Sequence, residues 1–144
     1  MRDAQVRRMS RLHRRLYQLT GGVVGKRLVD NDMLLLTTTG RRTGRPHTVP
    51  LLYLREGDAL VVIASYGGRD HHPAWYLNLV ATPEVEVQVR KGRLKALARI
   101  ADSEERASWW PRVVDAHGDY AVYQTRTHRV IPVVLLELHP PDTP

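Results

Sequence analysis

The sequence predicts a mainly β domain, a small and partly split β-barrel with flanking helices, on three observations. From Met33 onward the apolar pattern changes from the helical period of the preceding segment to the two-residue period of strands. Turn residues then recur about every 8 to 12 positions, the spacing of small all-β domains. Only two well-signalled helices interrupt six strand-like runs. A chain of 144 residues fits one domain, residues 31–144, preceded by a basic segment over residues 1–30.

In the basic segment Val6, Met9, Leu12, Leu16 and Leu19 recur at spacings of three and four, predicting an amphipathic helix that Gly21, Gly22 and Gly25 end. Met33–Thr39 is the first strand, and Gly40–Pro46 is a Gly- and Arg-rich connection. His47–Leu54 is the second strand, placed at an edge or marked by a bulge because Pro50 cannot donate to a ladder. Glu56, Gly57 and Asp58 turn into a third strand, Ala59–Ser65, and Tyr66–His72 is a loop. Pro73 suits the first position of a helix that Ala74–Ala81 continues until Thr82 and Pro83 stop it. Glu84–Val89 and Arg93–Ile100 form a hairpin about a turn at Lys91 and Gly92. Asp102 with Glu105 is a capping box opening a helix to about Ala116. Tyr120–Thr127 is a short helical turn, Val130–Leu138 the last strand, and His139–Pro144 a tail too Pro-rich to pack regularly.

The net charge of +7 is concentrated in one place. Residues 1–30 hold eight basic side chains against Asp3 and Asp30, a surplus of +6 that leaves only +1 for the other 114 residues. Such a segment suits an anionic membrane surface, a nucleic acid, or plain packing of its apolar stripe on protein with the arginines solvated. Packed amphipathic helices are commoner than membrane-bound ones. With no cysteine there is no disulfide framework, thiol nucleophile or zinc–thiolate site, and a reducing cytoplasm is the simplest location. No apolar run reaches the roughly 20 residues a spanning helix needs, and no export signal is visible.

Several chemistries have no visible machinery. No two of the seven histidines share the spacing of a metal site on one helix face, so no metal is expected. Ser65 is not in a nucleophile elbow, and Gly40–Gly44 lacks both the P-loop and the dinucleotide glycine patterns. What remains is an anion-reading turn and a set of aromatics. Arg41, Arg42 and Arg45 crowd one connection with no acid beside them, and their planar forks suit phosphate or carboxylate. The loop Ser65-Tyr66-Gly67-Gly68 leaves backbone amides open to close approach. Trp75, Tyr76 and Asn78 follow on the short helix, and Tyr120 and Tyr123 stand before the last strand. Core packing explains Trp75 readily. It explains Asn78 and two neighbouring tyrosines less well.

Leu35–Tyr53, with its Thr-Thr-Thr-Gly-Arg-Arg-Thr-Gly-Arg-Pro core, is one of five ordered motifs. The others are Ala64-Ser-Tyr-Gly-Gly68, His72–Leu79, Ala81–Val87 and the closing Tyr120–Pro132. Together, over about residues 31–138, they resemble the deazaflavin-dependent nitroreductase family of actinobacteria. The resemblance implies an FMN-binding-like split barrel that uses reduced coenzyme F420, a deazaflavin, as hydride donor. By the same resemblance Arg41 and Arg42 hold the anionic tail of the coenzyme with Asn78 assisting. Ile63, Ala64 and Ser65 face the deazaflavin ring, Pro73, Ala74 and Trp75 cover the ring and ribityl chain, and Tyr53 lies in the neighbouring strand. Tyr120 and Tyr123 stand over the substrate pocket, with Tyr123 and Ser65 as the donors nearest the chemistry. There are two departures: Tyr66 stands where the family often has a lysine, and Ala74 replaces a methionine-like ring contact.

The expected activity is hydride transfer from reduced F420 to a small electron-poor acceptor such as a nitro compound, quinone or enone. The cofactor carries the hydride chemistry, so an acid–base dyad is not required. The alternative is a non-catalytic carrier of F420, another flavin, heme or lipid in the same barrel. A nucleic-acid module driven by residues 1–30 ranks last, and no nucleic-acid partner is expected. Related barrels commonly dimerise, and some members use a basic N-terminal extension at the inner face of the membrane; a homodimer and peripheral membrane contact are therefore the partner expectations.

Overall fold

The computed structural model describes residues 33–139, so the helix expected within residues 1–30 lies outside the described residues. The described chain forms strands β1 (Met33–Thr39), β2 (Pro46–Leu52), β3 (Leu54–Glu56), β4 (Ala59–Ile63), β5 (Glu84–Val89), β6 (Gly92–Ile100) and β7 (Val133–Leu138). A 3-10 turn spans Tyr66–Gly68, and the helices are α1 (Ala74–Ala81), α2 (Ser103–Ala116) and α3 (Asp119–Thr125). All seven strands join one antiparallel sheet in the order β2-β1-β5-β6-β7-β4-β3.

That order settles the architecture. β2 and β3 lie at opposite edges of the sheet, yet only Tyr53 separates them in the chain. One residue spans about 3.5 Å, so the sheet has to curl until its two edges adjoin, giving a barrel whose edge strands β2 and β3 meet at Tyr53. The expected second strand over His47–Leu54 is thus two strands, and the six expected strands become seven. Pro50 falls in β2, whose one bonded neighbour is β1, so an edge strand, not a bulge, accommodates it.

Strand alternation sorts most of the apolar residues into two cores, with Met33, Leu35 and Leu52 in a small third cluster. Leu34, Leu36, Leu60, Val62, Val85, Val87, Val134 and Leu136 fill the barrel with Trp75 and Leu79 of α1. Val61, Ile63, Val133 and Leu135 face the other way and pack under Trp109, Val113 and Tyr120 of α2 and α3. β4 and the first four residues of β7, Val133 to Leu136, read as apolar runs because both of their faces are covered.

Side chains, not the apolar pattern, decide where several elements stop. β7 was expected from Val130 but starts at Val133. The Ile131 N–H donates to Gln124 Oε1 at 3.0 Å and its carbonyl accepts from Arg106 Nε at 2.9 Å, while Pro132 has no N–H to give. β4 ends at Ile63, two residues early, where Arg129 takes the carbonyls of Ala64 and Ser65. In the β5–β6 hairpin Gly92 already pairs with Val89, so the turn is Arg90-Lys91, one position before that expected. Arg90 adopts φ 56° there, and its carbonyl accepts a 2.9 Å bond from Gln88 Nε2.

The capping box of α2 forms as expected, with Glu105 N–H donating to Asp102 Oδ1 at 2.8 Å and Asp102 N–H to Glu105 Oε1 at 3.2 Å. Arg99 joins Glu105 at 2.6 Å and Glu137 at 2.9 Å, tying the start of α2 to β6 and β7. Those bonds hold the Glu105 carboxyl down at about 2.

The two-face assignment is testable on neighbouring strands. Leu136→Ala, fully buried in the barrel, is expected to lower unfolding free energy by about 2–5 kcal/mol. Leu97→Ala, 39% exposed on β6, should change it by about 0.5 kcal/mol or less. Urea unfolding measures both, and equal losses would contradict the register.

Candidate active site

The arginine turn is built by glycines and pinned by a buried amide. Gly44 takes φ 72°, which calls for glycine, and a Cβ on buried Gly40 would lie 2.8 Å from the His47 ring, which would have to move aside. Backbone bonds Gly40 N–H to Arg45 C=O at 2.7 Å and Gly44 N–H to Gly40 C=O at 2.8 Å close the turn. Asn78 of α1, only 5% exposed, accepts from Arg41 N–H at 3.1 Å and donates from Nδ2 to Thr38 Oγ1 at 3.1 Å. This answers why a helix facing the barrel carries an asparagine: it fastens the turn to α1. Arg41, Arg42 and Arg45 are exposed, and among the described residues no carboxylate pairs with any of them. Among the described residues the turn is therefore a preorganised cluster of arginines with no carboxylate partner.

A second anion-facing element follows β4. Ser65 has right-handed dihedrals of −75° and −38°, and Tyr66, Gly67 and Gly68 follow with φ of 48°, 65° and 81°. A right-handed residue followed by a left-handed one turns successive N–H groups, here those of residues 65 to 67, into one concavity that suits negative charge. The Gly68 N–H donates to Ser65 C=O at 2.9 Å and Arg69 N–H to Tyr66 C=O at 3.3 Å, which locks the turn. Tyr66 holds its left-handed backbone without glycine's freedom, a local strain of the kind found at functional turns. Its ring lies 5.0 Å from the Arg69 guanidinium carbon and edge-on to His71.

The tyrosine helix docks on this turn. A Cβ on Gly68 would come within 2.5 Å of the Tyr123 carbonyl, so only glycine allows the approach. Tyr120 and Tyr123 meet edge to face with ring centres 6.1 Å apart. Burial, with Tyr123 and Asp119 adding to it, pushes the Tyr120 phenol up to about 12, so at neutral pH it is a hydrogen-bond donor. Tyr123 is half-buried beneath the Arg126 guanidinium.

His72 bridges the turn to α1. Its ring stacks on Tyr76 at 4.4 Å, and its Nδ1 accepts from Arg129 at 3.1 Å. Burial, then Arg129, then His71 lower its pKa, all favouring the neutral ring that can accept this bond. Among the described residues no group of His, Asp or Glu is placed to hold a metal.

The sequence-derived residues thus fall along one chain of contacts: the arginine turn to Asn78 and α1, His72 to Arg129 and the Ser65 turn, Gly68 to the tyrosine helix. Not all of them reach a surface. Ala64 is fully buried, with its N–H bonded to Pro132 C=O and its carbonyl to Arg129, so it supports the turn and offers no face to a ligand. The Ile63 side chain belongs to the outer core, and Trp75 packs in the barrel with Pro73 buried before it at the helix cap. Ala74 is exposed, and half-buried Tyr53 packs on the barrel core at the seam. Sequence reading did not single out Arg129 or Gln124 as site residues, and it marked Gly68 only for its open amide. A guanidinium among the apolar residues Val130-Ile131 was the available signal for Arg129.

Comparison with known proteins places this geometry. The family described as F420H(2)-dependent quinone reductase matches residues 9–138. A quinone reductase of that description from Mycobacterium tuberculosis is 41% identical over 130 residues, covering 88% of this chain and 87% of the relative. A solved F420-H2 dependent reductase, FDR-A, superposes with TM-score 0.68 at 42% identity, covering 74% of this chain and 94% of that one. A second solved chain, described as a domain-swapped dimer, has TM-score 0.70 at 39% identity and covers 93% of this chain and 98% of its own. The barrel is the FMN-binding-like split barrel, and the chain belongs to the F420H(2)-dependent quinone reductase family.

Proposed function

We propose that the protein transfers a hydride from reduced coenzyme F420 to a small electron-poor acceptor, a quinone first among them. The observation that carries the reading is the arginine turn fastened by Asn78 to the same helix whose start meets the Ser65 turn through His72. A coenzyme with a phosphodiester and carboxylate tail needs such a cationic seat, and a flat ring with polar edges suits the amide concavity of residues 65–67. The residues present therefore fit the group.

The coenzyme, when bound, supplies the hydride. Arg41 and Arg42 hold the anionic tail through charge-assisted, forked hydrogen bonds, and Asn78 keeps their turn in place. Ser65 and the amides after it orient the ring edge, while exposed Ala74 sets the wall beside α1 over buried Pro73 and Trp75, with Tyr53 at the neighbouring seam. Tyr66, standing where relatives often carry lysine, leaves tail neutralisation to the arginine turn. Tyr123 donates a hydrogen bond to the acceptor oxygen as negative charge grows there, and neutral Tyr120 packs behind it and shares the role.

Titration with oxidised F420, FMN and heme, followed by turnover of the reduced coenzyme with a quinone, tests the reading. Tight F420 binding with turnover supports it. Binding without turnover on any acceptor would favour a carrier, and equal or tighter FMN or heme binding would overturn the cofactor assignment. Homodimerisation, described for one relative, is extended to this chain as part of the proposal and is measured by sedimentation. No helix among the described residues is long and apolar enough to cross a membrane. Peripheral contact is assigned to residues 1–30 on their +6 surplus.

Replacing Arg41 and Arg42 together by Ala should weaken F420 binding by about 3 kcal/mol, near two orders of magnitude, without loss of fold. An unchanged dissociation constant would make the turn a solvated hairpin tip. Tyr123→Phe keeps the ring but removes the donor, so coenzyme affinity should hold while turnover falls about 10²-fold. Full activity of the Phe variant would leave Tyr123 as a pocket wall. Removal of residues 1–30 should abolish sedimentation with anionic vesicles; retained binding would move the membrane contact to the barrel.

A further inference from the structure

We propose that Arg129 is a positioning residue that sets the Ser65–Gly68 turn and its distance from the tyrosine helix; its consequence for hydride transfer rests on the function proposed above. The guanidinium donates from Nε to Arg69 C=O at 2.8 Å, from one terminal nitrogen to Ala64 C=O at 3.0 Å and from the other to Ser65 C=O at 2.7 Å. The first terminal nitrogen also meets His72 Nδ1 at 3.1 Å. One planar group thus holds the carbonyls on both sides of the turn, and all three of its nitrogens are used.

The bonds have a directional consequence. A peptide carbonyl and the following N–H point in opposite senses, so drawing the Ala64 and Ser65 carbonyls toward Arg129 turns the N–H groups of Ser65 and Tyr66 away from it. These are two of the three amides of the concavity assigned to the ring. Without the guanidinium the Ala64 carbonyl would lose its donor, the Ser65 carbonyl would keep only the Gly68 N–H, and β4 would lose the group that ends it.

Arg129 is itself held on both sides. Its N–H donates to Thr127 Oγ1 at 3.2 Å, and its carbonyl accepts from Gln124 Nε2 at 2.8 Å. Gln124 Oε1 in turn accepts from Arg106 at 3.0 Å and from Ile131 N–H at 3.0 Å. Gln124 follows Tyr123 directly in α3, so the anchor of the donor helix and the anchor of the ring turn are one network. A lysine could not replace this fork, because one ammonium cannot reach three carbonyls from three separate nitrogens.

The test compares Arg129→Met and Arg129→Lys with Arg99→Met, which breaks an ion-pair network that touches none of these residues. The first readout needs no coenzyme: amide 15N and 1H shifts of residues 64–69, and hydrogen exchange at Gly68 and Arg69, in the full chain. Both Arg129 variants should shift these amides and speed the Gly68 exchange at least about tenfold, with β1 and β5 amides unmoved; Arg99→Met should leave residues 64–69 as they are. The second readout is kinetic. The Arg129 variants should keep the F420 dissociation constant within about threefold, since the tail is held elsewhere, and lose about 10²-fold in kcat, as a misplaced reacting ring does. Should Arg129→Met not fold, Arg129→Lys carries both readouts. Wild-type shifts and exchange at residues 64–69 in the variants, or full kcat in Arg129→Lys, would overturn the assignment. If the wild-type protein neither binds F420 nor turns it over, the proposed function fails, while the coenzyme-free comparison still decides the role of Arg129 in the turn.

Discussion

A single residue, Tyr53, carries the chain from one edge of the seven-stranded sheet to the other, and that span is the constraint on which the rest depends. A flat sheet of seven strands would hold its edges about 28 Å apart at the usual spacing of neighbouring strands. One linking residue forbids this, so the sheet closes on itself. Closure makes the inward set of residues a barrel core and leaves the outer faces of β4 and β7 to be covered by α2 and α3. It also sets α1 against β1, where Asn78 meets both Thr38 and the arginine turn.

The proposed site is a product of what happens where the ladders stop. Each strand end near it is terminated by a side chain that takes over backbone groups: Asn78 at the turn after β1, Arg129 after β4, Gln124 and Arg106 before β7. Buried polar groups are costly unless paired, and no described buried side-chain nitrogen or oxygen lacks a partner. Satisfied in this way, the polar shell is stiff, and stiffness is what an assembly of amides and phenols needs to act on charge that develops in a reaction. The exposed arginines contrast with it, since no carboxylate among the described residues pairs with them.

This division fits a protein whose cofactor brings the reactivity. In the proposed site the chain contributes an arginine turn, a concavity of amides and two phenols; burial keeps Tyr120 protonated well above neutral pH. The absence of a catalytic dyad in the sequence is consistent with that division of labour.

The sequence by itself determined the β class, the bounds of most elements, the capping box at Asp102 and Glu105, and the family. These are local or ordered features: alternation, turn residues and motifs are written in neighbouring positions. It also marked Arg41, Arg42, Ser65, Tyr120 and Tyr123, because arginines without acids and paired tyrosines are unusual in a turn or a core. Only the tertiary structure decided that His47–Leu54 is two strands at opposite edges, that β4 and β7 stop short, and that Ala64 and Trp75 face the interior. It alone brought Arg129 to Ser65, 64 positions apart, and Gly68 against Tyr123. The physical reason is shared. Closure of the barrel and capture of backbone carbonyls by remote side chains are long-range interactions, and nothing in the spacing of neighbouring residues encodes which remote donor arrives.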